Sequence, residues 1–120
     1  MLCEENALRS SVFIMNPISN DSDTNRLLQV VCWALTRHFG HEAEAAEMLV
    51  RCSHVRFAGQ WNDDFYHHEG PFRSAALLHY SSTHGGTTNF NGFHEWYAAQ
   101  ELGEAHSDTM EHFRQSYFDS

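Results

Sequence analysis

The chain contains no lysine. Its seven basic residues are all arginine (Arg9, Arg26, Arg37, Arg51, Arg56, Arg73 and Arg114), set against sixteen Asp and Glu in 120 residues. At a formal charge of -9, nonspecific attraction to nucleic acid or anionic lipid is not what this surface is built for. Proline is scarce, only Pro17 and Pro71, and no low-complexity tract or internal repeat divides the chain. No stretch approaches the roughly 18 apolar residues of a membrane span. The first fifteen residues hold Glu4 and Glu5 ahead of any apolar run, so a secretory leader is not expected. Cysteine is sparse and odd in number: Cys3, Cys32 and Cys52, with no CxxC spacing. That usage argues against a disulfide framework, for Cys32 and Cys52 as small core hydrophobes, and for a reducing, cytoplasmic setting.

Apolar and aromatic residues are plentiful. A hydrophobic fraction of 42% with nine Phe, four Tyr and three Trp is ample for one packed interior, and 120 residues make one domain the default. Ten histidines make the charge depend on pH. Protonating all of them would carry the net charge from -9 to about +1, so low solubility is expected near the sequence pI of 5.4. Charge is also uneven along the chain. Residues 1–56 carry seven acids and five Arg, whereas residues 57–120 carry nine acids and two Arg.

Periodicity assigns most of the chain to helices. Residues 1–21 are ambiguous, with Ser11 to Met15 readable as a short strand or an apolar helix end. Over 22–39, Leu27, Leu28, Val31, Cys32, Leu35 and Phe39 recur at helical spacing. Ser22 or Asp23 is placed to cap this helix and Gly40 to end it. Residues 41–52 form a second helix, with Glu42, Glu44 and Glu47 early and Arg51 late. Val55 and Phe57 then alternate with His54 and Arg56 as in a strand, and Trp61 to Phe65 reads as a turn. Gly70-Pro71 opens a helix carrying Phe72, Ala75, Ala76 and Leu78, read as helix rather than strand because Ala and Leu dominate. Residues 91–103 are helical by Phe93, Trp96, Tyr97 and Leu102. Residues 107–118 are helical by Met110, Phe113 and Tyr117, with Asp108 and Glu111 at capping-box spacing. A mainly α single domain of four to five helices is expected, with room for a short central β-hairpin that would make the class α+β.

Three constellations could carry function. The first is acidic: Glu95, Glu101, Glu104, Asp108 and Glu111 fall on the last two expected helices, Glu101 with Glu104 and Asp108 with Glu111 at i, i+3. Such a face suits docking onto a basic groove of another protein, where complementary charge speeds and orients encounter. The second is Trp61-Asn62-Asp63-Asp64-Phe65-Tyr66-His67-His68-Glu69. Carboxylate and imidazole together can bind a divalent metal. Neighbouring side chains diverge in helix and strand, so a real site would combine Asp64 with His67 or His68 and a distant histidine such as His79, His84 or His94. The third is residues 41–61, the segment that could read DNA.

Short resemblances accompany these segments. Phe39-Gly40, Glu44-Ala45-Ala46-Glu47-Met48-Leu49 and then Ser53, Val55 and Trp61 resemble a phage-repressor helix-turn-helix. Val50 stands where that pattern has its turn glycine, the spacing from Ser53 to Trp61 is one residue longer than in the pattern, and Arg51 and Arg56 are the only cations for phosphate contacts. Gln29 with Cys32-Trp33-Ala34 resembles the nucleophile segment of papain-type proteases, but Cys32 falls mid-helix rather than at a helix N-terminus, where the dipole would activate it. Gln60 to Phe65 resembles a short stretch of some α-amylase-type trehalohydrolases, whose barrel cannot be built from a chain this short. In size and charge the chain resembles small acidic inhibitors carried by phages and mobile elements, including anti-restriction and anti-CRISPR proteins.

The expectation is therefore a small acidic, non-enzymatic protein-binding module. Its partner is a protein with a basic surface, it needs no cofactor, and self-association is open to it through surplus aromatics. The alternatives are a metal-dependent enzyme built on Asp63, Asp64, His67 and His68, and a DNA-binding regulator acting through residues 41–61.

Overall fold

A computed structural model of the chain describes residues 21–56, 63–84 and 92–118. They form five helices: α1 (Ser22–Phe39), α2 (Ala43–Arg56), α3 (Asp63–Thr83), α4 (Phe93–Ala99) and α5 (Gly103–Phe118). The mainly α class is shown, with no strand among the described residues. The apolar segment before Asn16 lies outside them.

α1 is the central element. Leu27, Leu28, Val30, Val31, Cys32, Ala34 and Leu35 are all buried, more than one stripe of the helix surface, as befits a helix enclosed on several sides. α2, α3 and α5 pack around it. Its start is set by Asp21, one residue ahead of the expected caps. The Asp21 carboxylate accepts from the Thr24 N–H at 2.8 Å and from the Thr24 hydroxyl at 2.7 Å, which satisfies an otherwise orphaned donor of the first turn. Gly40 ends the helix at φ 77, a left-handed conformation that costs glycine little.

α2 differs from the sequence reading at its end. It runs unbroken to Arg56, so His54 to Arg56 are helical rather than the start of a strand, and Phe57 falls outside the described residues. The alternation there was two residues deep, too short to outweigh continuation of an existing helix. α2 adds Ala46 and Val50 to the core.

α3 contains the break that the sequence announces. Gly70 sits at φ 83, ψ 165 inside the assigned span and divides it into two helical pieces. Pro71 opens the second piece, where its missing N–H is no loss. Phe72, Ala75, Ala76 and Leu78 are buried as expected. The first piece corrects the turn expected through Asp63, Asp64 and Phe65, because the chain is already helical at Asp63.

The last two helices are shorter or longer than their patterns suggested. α4 stops at Ala99, which leaves Leu102 in the link to α5. α5 starts at Gly103, four residues early, so Asp108 is in mid-helix and heads no capping box. Its inward residues are Thr109 and Phe113, while Met110, expected inside, is 38% exposed. Phe113 packs on the main cluster formed by α1, α2 and α3. Phe93, Trp96 and Tyr97 form a second cluster with Ala76 and Tyr80, and Phe39 touches both clusters.

The cysteines also depart from expectation. Cys32 is a buried thiol, but Cys52 is disulfide-bonded, with the other half of the bond outside the described residues. Odd cysteine number masked that pair, and the inference from sparse cysteine to a reducing compartment loses its footing. No described helix is long and apolar enough to cross a membrane.

Candidate functional site

The five acidic residues of the expected docking face do not form one set. Glu95 lies on α4, Glu101 in the link before α5 and Glu104 in the first turn of α5. All three are exposed and make no hydrogen bond or ion pair with the described residues. Glu101 precedes the helix, so its i, i+3 spacing to Glu104 does not place the two on a shared helical face.

Asp108 and Glu111 are occupied internally. The Asp108 carboxylate accepts from Arg37 Nε at 2.8 Å and from His38 Nε2 at 2.9 Å. Both donors are on the last turn of α1, so this carboxylate fastens α5 to the central helix. The hydrogen bond from Arg37 is the main cause that holds the Asp108 carboxyl below the ordinary carboxylate range; burial opposes it, and the hydrogen bond from His38 and the Arg37 charge add to the lowering. A carboxylate can only accept, so His38 carries a proton on Nε2. Glu111 pairs with Arg114 one turn on and accepts from Gln115 at 3.0 Å.

The remaining arginines with a resolved ionic partner follow the same pattern. Arg51 pairs with Glu47 at 3.0 Å and Arg73 with Glu69 at 2.7 Å. Arg73 also reaches His94 at 3.1 Å and lies over the rings of Phe93 and Tyr97, 5.1 and 5.3 Å from their centroids. Arg37 lies 5.5 Å from the centroid of the Trp33 ring, whose other contacts include His112 stacked at 4.0 Å. A planar guanidinium can stack and donate in its plane at once, which an ammonium cannot. Arg37, Arg51, Arg73 and Arg114 are thus each engaged by a carboxylate of the chain itself.

Of the second constellation, only His67, His68 and Glu69 have described side chains. Trp61 lies outside the described residues, and the side chains of Asp63 and Asp64 are likewise not described. His67 and His68 are both exposed. His67 has a structural partner that its sequence neighbourhood does not reveal: its Nε2 is 3.1 Å from the Thr24 hydroxyl and 3.6 Å from the Asp21 carboxylate. The Thr24 hydrogen goes to Asp21, so His67 donates to Thr24, and the three form a chain that ties the first piece of α3 to the cap of α1. Among the described residues no group of three or more His, Cys, Asp or Glu side chains converges as metal ligands do.

The third constellation meets an unbroken helix. A helix-turn-helix needs a turn near Val50 to Ser53, and α2 passes through those positions. Val50 and Ser53 are buried, and Arg51 is engaged with Glu47. The papain-like resemblance also ends in the interior. Burial pushes the Cys32 thiol up to about 12, which leaves almost no thiolate at neutral pH.

His79 and His84, offered by the sequence only as distant ligands for the second constellation, instead gather with His41 and aromatic rings at the far end of α3, a meeting that sequence reading missed. His41 Nε2 lies 2.9 Å from His79 Nδ1. The His79 ring stacks on Phe39 at 4.8 Å and neighbours Trp96 at 6.0 Å. His84 stacks on Tyr80 at 4.2 Å and meets Trp96 at 6.1 Å. The signal available in sequence was the spacing His79-x4-His84 on one helix; the approach of His41 is a product of the α1–α2 turn. A shallow open hollow of about 280 Å³ lies nearby, lined by residues including Tyr97, Gln100, Leu102 and His106. Comparison of the chain with protein-family models, with curated proteins and with solved structures gives no match.

Proposed function

We propose that this protein is a small binding module that engages a basic surface of another protein through Glu95, Glu101 and Glu104, and that it acts by occupying that surface rather than by catalysis. One observation carries the reading. Arg37, Arg51, Arg73 and Arg114 are each paired with a carboxylate of the chain itself, while these three carboxylates are exposed and unpaired among the described residues. The net charge of -9 is therefore displayed as well as carried. A basic partner would supply the missing cations, raising the association rate and fixing orientation more than adding affinity per contact. A basic nucleic-acid-binding protein has the matching chemistry, and occupying its groove would inhibit it.

The test is capture of partners from the native host at low and high salt, about 50 and about 500 mM, where screening separates exposed charge pairing from apolar contact. The expected result is a basic protein retained at low salt, released at high salt, and lost from the E95Q/E101Q/E104Q triple variant. Retention of the same protein by that variant would refute the reading. D108N is a poor substitute in this experiment, because its carboxylate serves the fold.

A further inference from the structure

The contact between His41 and His79 is conditional on protonation. Two ring nitrogens 2.9 Å apart need one proton between them, with one ring donating and the other accepting. A neutral pair in matching tautomers meets that need, and so does a pair carrying one extra proton. A doubly protonated pair has two donors facing each other and no acceptor. The rings are perpendicular, at 89°, and both are half-buried, so water has limited access to replace the lost bond.

The bond joins two elements otherwise weakly connected. His41 belongs to the turn between α1 and α2, and His79 to the last turns of α3. Among the described side chains, α2 contributes Ala46 and Val50 to the fully buried apolar core, against seven residues from α1. Segments with few buried contacts open locally at low cost. We propose that the His41–His79 pair is a pH-sensitive latch: it holds the α1–α2 turn and the start of α2 on α3 while at least one ring is neutral, and releases them when both are protonated.

The surroundings support release rather than compensation. From α1 the neighbour is Phe39, and the charged residues of that last turn, Arg37 and His38, are bonded to Asp108 of α5. From α4 the neighbour is Trp96; its flanking Glu95 is exposed, and His94 is bonded to Arg73 of α3. Glu42 and Glu44 at the start of α2 are exposed and bond neither ring. From α3 itself comes His84. The charges acting on His79 are those of His41 and His84, both of which oppose its protonation, after burial as the larger cause. Burial alone holds His41 below the ordinary histidine value. A histidine lowered in the folded state binds protons better when unfolded. The stability it contributes is therefore present above about pH 6.5 and lost as pH falls through that value toward the folded ones.

The test uses the whole chain. Imidazole nitrogen NMR across about pH 7.5 to about pH 5 is expected to show His41 and His79 taking up protons in two separated steps, as interacting sites do. Urea midpoints over the same range are expected to fall in the wild type and in H68Q, an exposed-histidine control, and to fall clearly less in H79Q and H41Q, which keep a hydrogen-bonding side chain that cannot charge. An equal fall in H79Q and the wild type overturns the latch. So does independent titration of both rings at ordinary histidine values, a result that needs no variant to fold.

Discussion

α1 and α5 are both long helices of the same bundle, and they are attached in opposite ways. α1 is enclosed by apolar contacts, with seven apolar side chains at 2% exposure or less. α5 buries Thr109, half-buries Phe113 and leaves Met110 at 38% exposed. What binds α5 to α1 is largely polar and aromatic: Asp108 held by Arg37 and His38, and His112 stacked on Trp33. Apolar burial is insensitive to salt and pH in the ordinary range, whereas exposed ion pairing is sensitive to both. The two helices should therefore respond differently to the same perturbations.

The largest effect is expected at α1. Leu28→Ala removes a fully buried side chain and should lower unfolding stability by about 2–5 kcal/mol, measured by urea denaturation and little changed by salt. Gly40→Ala should cost about 1–2 kcal/mol. Nothing lies within 4 Å of the added Cβ, so the cost is that of the left-handed backbone alone. Asp108→Asn should cost less than either. Its loss should shrink in high salt, and it should remove part of the stability decline seen in acid. The carboxyl is lowered in the folded state, so its contribution is present above the ordinary carboxylate range and lost as pH falls through the folded value. If Asp108→Asn matched Leu28→Ala in size and ignored salt, the contrast between the two helices would fail. The smallest effect, opposite in sign, is expected from Ser74→Ala. The Ser74 hydroxyl is buried without a hydrogen-bond partner, so removing it should raise stability by up to about 1 kcal/mol.

The same contrast explains what the sequence made legible. α1 announces itself because burial on several faces leaves apolar residues at every helical spacing, and Gly40 marks its end. The second piece of α3 is equally plain, since Gly70-Pro71 can hardly be anything but a break followed by a start. α5 was found as a helix, but its facing was misjudged. Met110 is more apolar than Thr109, and the pattern favoured it. The rotation that carries Asp108 to Arg37 turns Thr109 inward instead, where its hydroxyl donates to the Ala105 carbonyl at 2.8 Å. The polar ties escaped for a common reason. Asp108 with Arg37, His67 with Thr24 and His41 with His79 lie 71, 43 and 38 residues apart, and no local pattern encodes such a meeting. Composition located the acid excess, but only the fold separates the exposed Glu95, Glu101 and Glu104 from the carboxylates of Asp108 and Glu111, which are already engaged.

Arg73 bears on how Glu95 is presented. α4 has seven residues, too few to persist as a helix without support, and it carries Glu95. It is held by its cluster with Ala76 and Tyr80 and by the guanidinium of Arg73, which lies over Phe93 and Tyr97 while bonding His94 and, on its own helix, Glu69. Arg73→Lys would keep every charge in the protein and discard the flat surface on which two rings rest. The exposed Glu95 is thus carried on a helix whose rings rest on a cation. The spatial precision of Glu95 is decided by the shape of that cation, a property that a tally of charges does not contain.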